Sequence, residues 1–201
     1  MNHILYVLRH PIDGFWEMKN NNRGRYREVL LLLLLAVAAV IFDRQVRDFI
    51  FNANYNTSLN ILKEVCIVIL PVLLFTIANW TVTTLSDGKG SLKDIFFTVC
   101  YSLTPMIIFR IAVPIISHLF SLNEAAYLNM LDIIGFAWTG IMIFIGIMQI
   151  HEYTFKKMVW TLILTGFSMA IIVFIVMLSF SLMQEIGSFV YSIYREISLR
   201  I

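Results

Sequence analysis

The chain has 201 residues, 59% of them hydrophobic and only 14% charged, with a net charge of +2 and a mean hydropathy of +0.81. Soluble domains average about 45–50% apolar and about 25% charged residues, so this composition excludes an ordinary soluble fold and defines an integral membrane protein. The small net charge gives no reason to expect a nucleic-acid partner, and five spans of about 20 residues would leave little room for a separate soluble domain.

Residues 1–28 form a patterned cytoplasmic segment. Leu5, Leu8, Ile12, Phe15 and Trp16 recur at spacings near three and four, which predicts an amphipathic helix lying on the membrane. The alternative is that this face packs against the inner ends of the spans. His10-Pro11 should break or start the helix, because Pro disfavours helix in the preceding residue and fits a first helical turn. Asn20-Asn21-Asn22-Arg23-Gly24 reads as a linker, followed by basic residues to Arg27.

The fold class is an all-α membrane bundle of five transmembrane helices occupying residues 29–183. Val29–Phe42 is a run of 14 apolar residues, short for a hydrocarbon core of about 30 Å. It should extend both ways, with Tyr26 interfacial, Arg25 and Arg27 snorkelling, and Phe49-Ile50-Phe51 continuing the outer end. Ala36-Val37-Ala38 imitates a signal-peptide cleavage site, but the long patterned segment before it favours an uncleaved span. Asp43 to Leu62 reads as an outer loop, in which Asn56-Thr57-Ser58 matches a glycosylation sequon, a pattern common by chance. The remaining spans run over Leu62–Leu85, Ile95–Phe120, Ile133–Ile150 and Met158–Met183. Residues 184–201 carry Ile186, Phe189, Val190, Ile193 and Ile197 at helical spacing, which predicts an amphipathic tail on the outer surface.

Arginine and lysine placement orients the bundle. Nine lie on one side (Arg9, Lys19, Arg23, Arg25, Arg27, Lys89, Lys93, Lys156 and Lys157), against five on the other (Arg44, Arg47, Lys63, Arg195 and Arg200). The positive-inside rule then puts the N-terminus in the cytoplasm and the C-terminus outside.

Between spans two and three, Ser91 with Asp94 matches a variant of the capping box, and Gly88 and Gly90 are expected to permit a tight reversal. Asp87-Gly88-Lys89-Gly90-Ser91 lacks the spacing of a phosphate loop. Arg110 lies within span three between Pro105 and Pro114, where a charge is costly and is normally paired or water-facing. Freed carbonyls near the prolines, Asn79, Asp132 and Glu124 are its candidate partners. The functional reading is an anion or lipid-headgroup site in an outer cavity, and the structural one an internally paired or snorkelling Arg that locks the bundle. His118 belongs near the outer interface and His151 at the inner end of span four.

Four scattered His residues without paired spacing argue against a metal site, and no cofactor pattern or catalytic constellation is present. Cys66 and Cys100 fall near opposite membrane faces, too far apart to bridge. Gly135, Ala137, Gly140 and Gly146 create small faces in span four, and Gly166 with Ala170 forms a small-x-x-x-small pair in span five. These are expected to serve packing within the chain more than homo-oligomerisation.

Trp80, the Ser86-Asp87-Gly88-Lys89-Gly90-Ser91 turn and Tyr101-Ser102-Leu103-Thr104-Pro105 resemble the Ypt-interacting protein (Yip-one) domain family. His10-Pro11 through Phe15-Trp16, and His151 through Lys157, resemble its segments before the first and last spans, so the likeness covers most of residues 10–183. It implies five spans with an inside N-terminus and a non-enzymatic role. Eukaryotic members resemble adaptors that bind small GTPases through a long N-terminal region. Only about 28 residues precede span one here, a departure that puts small-GTPase binding in doubt and favours a bacterial plasma-membrane member. Bacterial relatives are accessory proteins, some associated with ABC transporters. The expected function is therefore a membrane scaffold or accessory subunit in contact with the lipid bilayer and a membrane partner. The alternative is a small-solute or lipid transporter or channel around Arg110.

Overall fold

The computed structural model describes residues 3–21, 24–51 and 59–198, with backbone alone at Ile197. The sequon at Asn56, most of the outer loop, Arg23, Arg200 and the Ile197 side chain lie outside the described residues. Among those residues the chain is all-α, and five helical segments are long and apolar enough to cross a membrane.

Helix α1 (His3–Arg9) stops at His10, and Pro11 opens α2 (Pro11–Asn20). Proline fits there because a helix's first N–H groups have no intrahelical acceptor. The two short helices pack closely at Gly14, where a Cβ would stand 2.8 Å from the Val7 Cα. The expected apolar face divides in two. Phe15 is fully buried with its ring against Gly146, while Leu5, Ile12 and Trp16 stay exposed. The segment therefore packs against one end of the spans and keeps an outward apolar face as well.

The first span, α3 (Tyr26–Val46), runs four residues past the apolar run, so Asp43 and Arg44 belong to its last turn rather than to a loop. The chain turns through 49–51 without continuing that helix. Helix α4 (Ile61–Leu85) starts at Asn60, whose side-chain oxygen accepts from the Lys63 amide at 3.3 Å, and it contains Pro71.

Span three is two helices, α5 (Leu92–Ser102) and α6 (Thr104–Ser117), parted at Leu103. Pro105 accounts for the break: it has no N–H for the Tyr101 carbonyl, which accepts the Thr104 hydroxyl at 2.7 Å instead. After a 3₁₀ turn over Leu122–Glu124, α7 (Ala125–His151) begins eight residues before the expected boundary. Helix α8 (Phe155–Ser198) continues through Met183 without interruption.

The main contacts pair α3 with α6, α6 with α7, and α4 with α8, while α2 and α5 rest on α7. Lipid tails are as apolar as these side chains, so close packing at small residues carries much of the association. Ala36 and Ala39 are buried on α3, and Gly146 lies where α2, α5 and α7 meet. A Cβ there would stand 2.3 Å from Thr98 Cγ2 and 3.1 Å from the Phe15 ring. Gly135 faces Phe109 of α6.

Gly166 and Ala170 do not behave as expected. Gly166 has open space around it and Ala170 is exposed, so among the described residues this pair meets no other helix.

Candidate functional site: a charged cleft between α3, α4 and α6

Extending α3 through Val46 settles the local geometry. Successive helical residues point about 100° apart, so Asp43 and Arg44 address different neighbours, while Asp43 and Arg47 fall on one face. Asp43 is 7% exposed. Its Oδ2 accepts from Nη1 of Arg110 on α6 at 2.5 Å, and its Oδ1 accepts from Nε of Arg47 at 2.8 Å. Arg47 then reaches α7 as a fork, donating through Nη1 and Nη2 to both Asp132 carboxylate oxygens at 3.0 and 3.2 Å. Arg44 turns the other way and pairs with Glu64, buried on α4. The Arg110 guanidinium also lies over the Phe136 ring, 5.3 Å from its centroid.

Three guanidiniums and three carboxylates thus join α3, α4, α6 and α7 at one end of the bundle. Charge balance matters here, because an unpaired buried ion costs several kcal/mol at about the order of magnitude seen in proteins. The same end is closed by the Asp48 amide, which donates to Ser117 Oγ at 3.0 Å, and by His118 Nε2, which donates to the Val46 carbonyl at 2.8 Å.

Beneath the network lies a cleft of about 520 Å³ between α3, α4 and α6. Ala36, Val40, Val68, Val72, Leu103 and Met106 make its apolar wall, and Arg44, Arg47, Arg110, Asp43 and Glu64 its charged end. Pro71 also lines it and cannot donate to the carbonyl of Ile67, another lining residue.

Arg110 and Asp132 are linked through Asp43 and Arg47, as two members of one network. Asn79 and Glu124 do not join them. Asn79 is fully buried, and its Nδ2 donates to Thr165 Oγ1 of α8 at 3.1 Å. Glu124 caps its own 3₁₀ turn, accepting from the Ser121 amide at 2.9 Å. The nearest partner of Arg110 is Asp43, which sequence reading assigned to the loop. The available signal was the short apolar run, which needed more helix to cross the membrane, together with the i,i+4 spacing of Asp43 and Arg47.

The hairpin turn sits at the other end, against α7. Gly90 N–H donates to Nδ1 of His151 at 3.2 Å, and Tyr153 donates its hydroxyl proton to the Ser86 carbonyl at 3.0 Å. Neither Gly88 nor Gly90 has a positive φ; Asp87 does, at 54°. The glycines are needed for proximity instead of reversal. A Cβ on Gly88 would stand 2.5 Å from His151 Nδ1, and one on Gly90 2.9 Å from His151 Cε1.

Ser91 and Asp94 form a full capping box. Glu152 binds Lys89 of the turn and lies 3.7 Å from Lys19 of α2, whose Nζ donates to the Ile150 carbonyl at 2.7 Å. Lys89 holds the Glu152 carboxyl below the usual range by hydrogen bonding. Tyr101 is fully buried and donates to Glu28 at 2.6 Å, Pro105 is buried behind it, and Trp80 is partly exposed on α4.

These features define a polytopic α-helical membrane protein whose spans are tied by ionic and polar contacts at both ends. The chain belongs to the Yip1 domain family, whose model matches residues 5–181. No curated protein and no solved structure matches it significantly.

Proposed function

We propose that this Yip1-family chain is a non-catalytic scaffold or accessory protein that assembles with an integral membrane partner. An ABC transporter, which the resemblance associates with some bacterial members of the family, is the candidate partner. The observation that carries this reading is α8. Its 44 residues would extend about 66 Å at 1.5 Å per residue, roughly twice a hydrocarbon core of about 30 Å. Every described side chain from Val173 to Glu196 is exposed, with Phe174, Phe180, Phe189 and Tyr194 among them. About half of this helix therefore reaches past the core with apolar groups that only a partner or a membrane surface would cover. The distribution of Lys and Arg supports a cytoplasmic N-terminus.

Copurification from native membranes in mild detergent, read by mass spectrometry, tests the proposal. A stoichiometric transporter partner, lost when Phe189 and Val190 are replaced by Asp, is the expected result. Recovery of the chain alone, together with Arg110-dependent solute binding, would replace this reading with a transport function.

A further inference from the structure

We infer that the cleft between α3, α4 and α6 holds one phospholipid, its headgroup phosphate against Arg110 and one acyl chain along Val68, Val72 and Met106. This inference does not depend on a protein partner. Two features of the cleft require a ligand with two chemistries: one end is ionic, and the remaining wall is aliphatic. The volume of about 520 Å³ falls within the range of roughly 300–1,000 Å³ that small-molecule sites occupy.

The mouth opens at membrane depth. Ile67 and Pro71 lie six and ten residues past the start of α4 at Ile61, about 9 and 15 Å along it. Ile67 and Phe136 are half-exposed on the lateral surface, which in a membrane means facing lipid.

Electrostatics separates a lipid from a free anion. The three guanidiniums are already matched by three carboxylates, so the site has no net positive field to draw a dianion out of water. A guanidinium nevertheless carries five N–H donors, and the Arg110 bond to Asp43 engages Nη1, which leaves donors for a phosphate oxygen. Burying a chain against the apolar wall then supplies what free phosphate lacks, and the Arg110 contact supplies what a headgroup-free lipid lacks. An ammonium in the headgroup would meet the carboxylates of Asp43 or Glu64, so a zwitterionic phosphatidylethanolamine keeps the site neutral.

Native mass spectrometry of the full chain in detergent tests the inference with three probes: palmitoyl-oleoyl phosphatidylethanolamine, a diacylglycerol of the same chains, and inorganic phosphate. One phospholipid should be retained per chain, with neither of the other probes bound comparably. R110Q should weaken retention about tenfold, the effect of one charge-assisted hydrogen bond. V68W fills the apolar wall and removes no charged group, so it reads the site independently of R110Q, and it should also abolish retention. L182W, on the exposed face of α8, should leave it unchanged. Retention that survives V68W, or phosphate that binds as well as the lipid, would overturn the inference.

Discussion

Arg110 of α6 donates to Asp43 of α3 at 2.5 Å, although the two are 67 residues apart in sequence. Each neutralises the other inside the bundle, so neither can be removed alone without leaving a charge. Replacing Arg110 by Leu should destabilise the fold by no more than about 3 kcal/mol, the low end of the cost of breaking a buried pair, because Asp43 keeps Arg47. D43L should cost more, because it leaves Arg110 without its carboxylate and takes one of the two that Arg47 holds. The double variant D43L/R110L should recover much of the loss, since Arg47 keeps Asp132. Unfolding followed by thermal melts in detergent gives the comparison. Additive losses would mean that the pair does not act as a unit.

The Gly88–His151 and Gly90–His151 contacts make a second prediction. G88A must push a methyl against both the His151 ring and the Thr83 carbonyl, which is 2.9 Å from the built Cβ, whereas G90A meets only the ring. Overpacking of this kind costs about 1–3 kcal/mol, so G88A should be the more destabilising. Adding H151A should rescue G90A more fully than G88A, because the Thr83 backbone cannot move aside. Hydrogen exchange at the 86–91 turn would report the order. Equal effects of the two alanines would contradict it.

Much of the bundle was legible in the sequence because long apolar runs have few alternatives to membrane helices. The capping box at Ser91 was also local, dictated by residues within one helical turn; the break before Pro105 has an equally local cause, although span three read as one run. The cleft was not local. Hydropathy stops a span at its first charge, so Asp43 read as loop, yet three-dimensional pairing with Arg110 lets it remain helical and buried. Arg110 stood out as a cost needing a partner, but sequence spacing cannot choose among carboxylates on other helices. The glycines of the hairpin show the reverse case: their type was a correct signal of constraint, while its source was the His151 ring and not the backbone angle.

Helix α8 is joined to α4 by a polar contact between Asn79 and Thr165. T165V keeps the side-chain shape and removes the hydroxyl, so it should loosen α8 by about 0.6 kcal/mol and at most about 1.7, as for polar contacts between membrane helices. Spin labels on α4 and α8 should show a broadened distance distribution, with the α3 to α6 distance unaltered. A change in both distances would indicate that α8 is built into the core of the bundle and does not merely rest on it.

Glu152 provides a pH test with a defined sign. Its carboxyl titrates below the usual range because Lys89, and to a lesser extent Lys19, favour the ionised form. A group whose folded pKa is depressed contributes stability above its unfolded pKa, about 4.3 for Glu, and loses it as pH falls through the folded value. Docking of the turn should therefore be insensitive to pH from 8 to 5, in round numbers about the range where Glu152 is ionised in both states. Below about 4 the turn should become mobile. A spin label at position 87 would follow this directly. E152Q should show the low-pH mobility throughout, and K89M should raise the pH at which mobility appears, because the carboxylate then loses its main partner. Docking that survives in E152Q at neutral pH would take the control of this turn away from Glu152.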